Sequence, residues 1–382
     1  MLIPKLYAYS FLGEFILLYP VYALLFADAG LSIAETSSLF VIWSVTGMVL
    51  EVPSGALADR VSRRLLLCLG PLLAGLGYAL WVLFPSYWAF ALGFVLWGTQ
   101  GALVSGSFEA LSYEELSRKG QSGRYAAVMG RATSAGLVAN ALAMGAAMPV
   151  FAGGGYPAVG AASVLACVLC AGVALTLPEH RAARSGAEEK YLAILRSGVA
   201  EARSDPGVLR ALLLVALVPA IWGALEEYVP YLAIETGVAK TAIPLLYLVV
   251  WIGTTAGGLL SGVVSAYGPL VVLGAVALAA GALSGHPAGF GLIAVAFGAF
   301  QLAEVTADAR LQDRITGDAR ATVTSLAGLG TNLVTVAVYP LYGLLSSHVS
   351  HGVTFAVLAL PYLLMAVAGR RSRRHVTPSD AP

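Results

Sequence analysis

The amino-acid sequence predicts an all-α polytopic membrane protein with twelve transmembrane helices in two six-helix halves. Hydrophobic residues make up 58% of the 382 residues and charged residues only 11%, so the chain lacks the charged surface that a soluble domain of this size needs. The apolar residues form long runs, and nearly all basic residues lie in the loops on one side of these runs. These three observations together point to a helical bundle in a lipid bilayer.

Each apolar run is long enough to cross a bilayer as one helix, because a span takes about 20 mostly apolar residues. Twelve runs are present in the sequence. They cover residues 6–27, 35–57, 65–84, 87–113, 123–150, 156–177, 208–233, 240–266, 268–285, 287–312, 321–346 and 350–369. The ninth is the weakest, since Gly268, Pro269 and Gly285 interrupt it.

The distribution of basic residues tests this count, because cytoplasmic loops retain Lys and Arg while translocated loops lose them. One side of the predicted bundle carries Lys5, Arg60, Arg63, Arg64, Arg118, Lys119, Arg124, the basic residues between Arg181 and Arg210, Arg310, Arg314, Arg320, Arg370, Arg371, Arg373 and Arg374. Only Lys240 falls clearly on the other side. The count is therefore even, with both termini cytoplasmic, and this argument alone also allows ten spans.

The longest polar segment divides the chain. It predicts an N-terminal half over residues 1–177, a cytoplasmic linker over 178–207, a C-terminal half over 208–369 and a basic cytoplasmic tail over 370–382. Apolar residues recur at helical spacing from Glu188 to Ala202, which predicts a short amphipathic helix on the inner membrane surface. We interpret the linker as a tether, with a regulatory site as the alternative.

A sequence motif follows the second span. It reads Glu51-Val52-Pro53-Ser54-Gly55-Ala56-Leu57-Ala58-Asp59-Arg60-Val61-Ser62-Arg63-Arg64. This resembles the loop motif between spans two and three of the major facilitator superfamily, in the branch that extends it upstream as E-x-P-[ST]-G. The resemblance implies the fold of that superfamily and a secondary active transporter that works by alternating access.

The motif is predicted to act as a conformational switch. Gly55 allows two helices to approach closely, Asp59 can pair with a guanidinium, and the arginines bind anionic lipid. The predicted switch residues are Glu51, Pro53, Gly55, Asp59, Arg60, Arg63, Arg64, Glu109 and Arg131. We expect Arg131 to form an ion pair with Glu51, Asp59 or Glu109. The alternative is that the arginines only enforce topology.

The sequence also departs from the superfamily's drug–proton antiporters. Trp97 occupies a position in span four where many of them have an arginine, and span five lacks their G-P pair. These differences weaken a standard antiporter assignment.

Acidic residues within the predicted spans are the strongest functional signal, since a carboxylate in lipid is costly. They are Glu14 in span one, Glu109 in span four, Glu226 and Glu227 in span seven, and Glu304 in span ten. Resemblance to the superfamily implies that these four spans line the central cavity. Glu109 has an alternative interpretation as part of an inner-surface charge belt, and the same holds for Glu304.

Helical spacing indicates which residues accompany these acids. Glu14 shares a face with Tyr22, and Glu226 lies one turn beyond Trp222. Glu226 and Glu227 point in different directions, and we favour Glu226 for the cavity. The predicted cavity residues are Glu14, Tyr22, Trp222, Glu226, Glu227 and Glu304.

The favoured function is proton-coupled export of a small amphipathic organic compound, with Glu14 or Glu226 as the proton carrier. Uptake by proton symport is the alternative. The expected partners are the substrate, protons and the lipid bilayer of the cell membrane, and the chain is expected to be a monomer without cofactor or metal. A net charge of +1 argues against nucleic acid, and the absence of G-x-x-x-x-G-K-[ST] argues against ATP. A membrane-embedded enzyme or receptor is disfavoured because the five histidines are scattered.

Overall fold

The computed structural model describes residues 2–180, 206–260, 267–314 and 320–371. Nearly all of these residues are helical. The amphipathic helix predicted from Glu188 to Ala202 and most of the predicted basic tail lie outside the described ranges. Contacts divide the described residues into two compact units. The first comprises residues 2–180 and Ala239–Leu248, and the second comprises the other described residues.

The helices before the linker all belong to the first unit. They are α1 (Ile3–Glu14), α2 (Tyr22–Asp28), α3 (Ile33–Arg60), α4 (Arg63–Leu83), α5 (Tyr87–Arg118) and α6 (Tyr125–Leu175), with a short 3-10 turn at Ser122–Arg124. The most extensive packing in this unit joins α4 to α5, α1 to α6, α4 to α6 and α3 to α5.

Seven α-helices follow in the described residues after the linker. They are α7 (Pro206–Glu226), α8 (Val229–Glu235), α9 (Ile243–Leu259), α10 (Tyr267–Leu283), α11 (Gly289–Arg314), α12 (Arg320–Ser346) and α13 (His351–Arg371), with a 3-10 turn at Lys240–Ala242. Helix α11 packs on α10 and α7, and α13 packs on α10.

Seven of the described helices are individually long and apolar enough to cross a membrane, and the bent pair α7–α8 makes an eighth candidate. Helix α6 has 51 residues, and at ~1.5 Å per residue it is more than twice as long as a bilayer core of about 30 Å. It therefore crosses twice. With α1–α2 and α7–α8 each counted as one broken span, and with the shorter apolar helices α10 and α13, the elements give twelve crossings.

Local sequence explains where several helices start and bend. Ser32 caps α3 through a reciprocal capping box with Glu35. Ser62 is the N-cap of α4, and its Oγ accepts the N–H of Leu65 at 3.1 Å. Helix α6 is interrupted at Gly155, where φ is 61° and ψ is −156°, between the fifth and sixth predicted spans. Such a positive φ favours glycine.

Glycines bring α9 and α11 into close contact within the second unit. A Cβ added at Gly253 would overlap the carbonyl of Ala294, and one added at Gly257 would overlap the carbonyl of Gly298. Small residues drive such packing in lipid because they allow backbones to approach closely.

Candidate functional site

The first span is broken next to its only acid within the apolar run. Helix α1 ends at Glu14, the chain turns through residues 15–21, and α2 starts at Tyr22. The break leaves backbone groups without helical partners. The hydroxyl of Ser163 on α6 accepts the N–H of Leu18 at 3.0 Å and satisfies one of them. The sequence predicted one continuous helix over 6–27, so this break is a correction.

The break places Glu14 on a cavity of about 480 Å³ within the first unit. Glu14 lies at the C-terminal end of α1, where the helix dipole is negative. The glycine at Gly136 on α6 makes room for the acid, because a Cβ there would lie 3.1 Å from the Glu14 Cγ. A positively charged partner in the cavity would therefore stabilise the ionised form of Glu14.

The cavity also carries polar groups from α5 and α6. Glu109, Gln100 and Ser105 line it from α5, and Asn140 and Thr133 line it from α6. The Oδ1 atom of Asn140 is buried and has no hydrogen-bond partner among the described residues. This acceptor is available to a ligand. The sequence analysis missed Asn140, although a polar amide in an apolar run is a signal that could have found it.

Aromatic side chains form part of the wall. Tyr19 lies in the broken segment, lines the cavity and stacks on Trp97 at a centroid distance of 5.2 Å. Tyr78 also lines the cavity, and its ring meets that of Tyr19 edge to face. Trp97, at the position of the antiporter arginine, therefore supports an aromatic wall.

Tyr22 lies elsewhere than the sequence analysis placed it. It is 5% exposed and packs in an aromatic cluster with Phe26, Trp81 and Phe94. The expected shared face with Glu14 assumed a continuous helix, and the break after Glu14 removes that relation. Tyr22 is a core residue of the first unit.

The predicted cavity residues of the second unit lie on α7 and α11 and at the bend after α7. Glu226 ends α7, and Glu227 lies in the 49° bend between α7 and α8. Glu304 on α11 lies near Asp308 and faces the indole N–H of Trp222. The Trp222 Nε1 and one carboxylate oxygen of Glu304 are buried, and neither has a hydrogen-bond partner among the described residues.

The switch motif borders a second cavity of about 340 Å³ between α3 and α5. Glu51 and Gly55 line it from α3, and Ser105 and Glu109 line both this cavity and the larger one. The hydroxyl of Ser107, which is 1% exposed, also lines it and has no hydrogen-bond partner among the described residues. The structure thus brings Glu51, Gly55 and Glu109 together.

Of the other motif residues, Arg63 and Arg64 lie where α3 meets α4. Arg63 forms an ion pair with Glu114 at 2.6 Å, and its backbone N–H donates to Glu179 at 2.6 Å. Pro53 is exposed within α3, and Arg64 is exposed at the start of α4. The side chains of Asp59 and Arg60 lie outside what the structure describes.

Arg131 does not form the ion pairs expected with the described acids of the first unit. It is exposed on α6, and no ion pair joins it to Glu51 or Glu109 in the part of the chain that the structure describes. Arg131 lines neither of the two cavities that Glu51 and Glu109 border. The sequence analysis instead missed Glu114 and Glu179, which contact Arg63 from distant parts of the chain.

The profile of the Major Facilitator Superfamily matches residues 6–301 of the chain. The chain belongs to the Major Facilitator Superfamily. As a member of this superfamily it is a multi-pass membrane protein and a secondary transporter of small molecules, and it is not an enzyme. Its all-helical structure and its superfamily membership confirm the predicted fold class, with twelve membrane crossings in two halves. No curated protein sequence matches the chain significantly.

Solved structures of other transporters share this superfamily fold. The crystal structure of the nucleoside transporter NupG has a TM-score of 0.76 at 13% identity, covering 98% of this chain and 99% of that chain. A bacterial homologue of the human lysosomal transporter Spinster, inward-facing and occupied, has a TM-score of 0.74 at 15% identity, covering 100% of this chain and 97% of that chain. At these identities the likeness concerns the fold alone.

Proposed function

We propose that this superfamily member exports a small amphipathic organic compound in exchange for protons, with Glu14 as the proton carrier. The observation that carries the proposal is the position of Glu14: a solvent-accessible carboxylate at a helix break, on a cavity large enough for an organic molecule. A carboxylate on a cavity that water can enter can both take up and release a proton, as a proton carrier must. Glu226 is the second candidate carrier.

The proposed cycle is alternating access of two halves, residues 1–177 and 208–369, joined by the linker over 178–207. In the proposed cycle, the Arg63–Glu114 ion pair and the helix contacts around the small cavity at Glu51 change between states. We further propose that the protein works as a monomer in the cell membrane, with both termini cytoplasmic and without ATP. Uptake by proton symport would use the same site in the opposite direction.

Transport by the purified protein in liposomes tests this function. Radiolabelled amphipathic compounds of different charge are added, and a pH gradient is imposed while the membrane potential is clamped. We expect at least one compound to move against the direction of proton flow, as export by antiport requires. The Glu14→Gln variant should lose about 90% of gradient-driven transport, because the neutral amide cannot carry a proton.

The matched control is Glu35→Gln, which also removes one carboxylate. Glu35 belongs to the capping box of α3, and glutamine preserves such a box. This variant should transport like the wild type. Unchanged gradient-driven transport in both Glu14→Gln and Glu226→Gln would show that neither residue is the carrier, and movement with the protons would establish symport.

A further inference from the structure

The charged side chains that line the larger cavity are acidic. Two carboxylates, Glu14 and Glu109, line it, and none of the described residues that line it is a lysine, an arginine or a histidine. Arg131, in the first turns of the fifth span, is not among the lining residues. A site whose charged groups are all carboxylates attracts cations and repels anions, since bringing like charges together is unfavourable.

The walls of the cavity suit an organic cation. Phe108 lines the cavity and stacks on Tyr9, with a centroid distance of 5.2 Å, and Tyr19 and Tyr78 add further ring surface. Aromatic faces bind organic cations through their quadrupole as well as through apolar contact. The volume of about 480 Å³ lies within the range of small-molecule sites.

Glu14 is the carboxylate best placed to bind the charge. It lies at the negative end of α1, and the gap at Gly136 accommodates it beside the cavity. No ion pair with a basic side chain neutralises it in the part of the chain that the structure describes. Glu109 lies at the boundary with the smaller cavity and is therefore less central.

We propose that the substrate is an organic monocation and that Glu14 binds its charge within the cavity between α1, α5 and α6. This inference rests on the proposed function, because it names the substrate class of the same site. It also explains how the substrate would be exchanged for a proton. A proton and an organic cation compete for one carboxylate, so each leaves when the other binds.

Equilibrium binding to the purified full-length protein tests the sign of the charge without transport. The probes are radiolabelled tetraphenylphosphonium and tetraphenylborate, which have nearly the same size and opposite charge. We expect tetraphenylphosphonium to bind at least about tenfold more tightly than tetraphenylborate. Equal affinities, tighter binding of the anion, or no binding of the cation would overturn the proposal.

Variants of Glu14 test the residue. Glu14→Gln should weaken tetraphenylphosphonium binding about tenfold, whereas Glu14→Asp keeps the charge and should stay within about threefold of the wild type. Glu35→Gln should bind like the wild type. Equal binding by the Gln and Asp variants would contradict the role of Glu14. If the cation binds as expected but a pH gradient drives no transport, the proposed function fails and the substrate class stands. If a gradient drives transport of neutral or anionic compounds only, the proposed function stands and the proposed substrate class fails.

Discussion

At the scale of single residues, Glu14 and Ser163 show how the first span accommodates an acidic side chain. The chain breaks its first helix after Glu14, and the Ser163 hydroxyl replaces a lost helical hydrogen-bond acceptor for the N–H of Leu18. Ser163 is fully buried and also donates to the carbonyl of Val159 at 2.7 Å. The position of the acid therefore depends on a side chain that lies 145 residues along the chain from Leu18.

Removing that hydroxyl should destabilise the protein. In Ser163→Ala the buried N–H of Leu18 loses its partner, which costs about 1–3 kcal/mol of the free energy of unfolding. The thermal midpoint of the purified protein in detergent should fall accordingly. Ser134→Ala is the matched control, because Ser134 is exposed on the same helix and donates only to the carbonyl of Gly130 in its own turn. Equal midpoints for the two variants would contradict this account.

At the scale of helices, hydropathy predicted where the spans lie but not where they break. The sequence placed uninterrupted spans over 6–27 and 208–233, and the structure breaks both, at residues 15–21 and at the 49° bend after Glu226. A hydropathy window depends only on composition, whereas a break depends on partners far along the chain. The interruption of α6 was easier to place, because Gly155 and its neighbouring prolines mark it locally.

The same limit applies to the candidate site. Acids within apolar runs were visible in the sequence, so Glu14, Glu109 and Glu304 could be named before the structure. Their surroundings could not, because the contact of Gly136 with Glu14 joins residues that no local pattern relates. Tyr22 was assigned to the site by helical spacing, which fails across a break.

Close helix packing in the second unit leads to a prediction for one element pair. Gly257→Val should separate α9 from α11, because even a Cβ at this position overlaps the carbonyl of Gly298. Overpacking of this kind costs typically about 1–3 kcal/mol, and here the obstacle is backbone, which cannot rotate away. Thermal unfolding in detergent should show the loss. At Gly291 on α11 an added Cβ meets no atom within 4 Å, so Gly291→Val should unfold like the wild type. A similar loss of stability in that variant would contradict the role of the contact with Gly298.

At the scale of the whole molecule, in each of the two units a carboxylate at the end of the first span accepts a hydrogen bond from the start of the last span. In the first, α2 ends at Asp28, whose carboxylate accepts the Tyr156 hydroxyl at 2.8 Å near the start of the sixth span. In the second, α8 ends at Glu235, whose carboxylate accepts the backbone N–H of His351 at 2.7 Å at the start of the twelfth span. Each unit thus joins the end of its first, broken span to the start of its last. This agrees with the internal repeats of transporter folds.

The sidedness of the molecule follows from its charges and can be measured directly. Arg118 at the end of α5 and Lys119 and Arg124 in the loop before α6 are basic, so the positive-inside rule predicts that this loop is cytoplasmic. The loop between α4 and α5 has no basic residue and should face the outside. The three native cysteines are free and buried, so they should give little background in thiol labelling.

Two serine-to-cysteine variants make a matched pair for this test. Ser86 lies exposed before α5, and Ser122 lies exposed before α6. In intact cells a membrane-impermeant maleimide should label Ser86→Cys, whereas Ser122→Cys should react only after the membrane is permeabilised. The reverse pattern would place both termini outside, since an even number of crossings puts them on the same side. Labelling of both variants in intact cells would mean that the two loops share a face, which a single crossing by α5 does not allow.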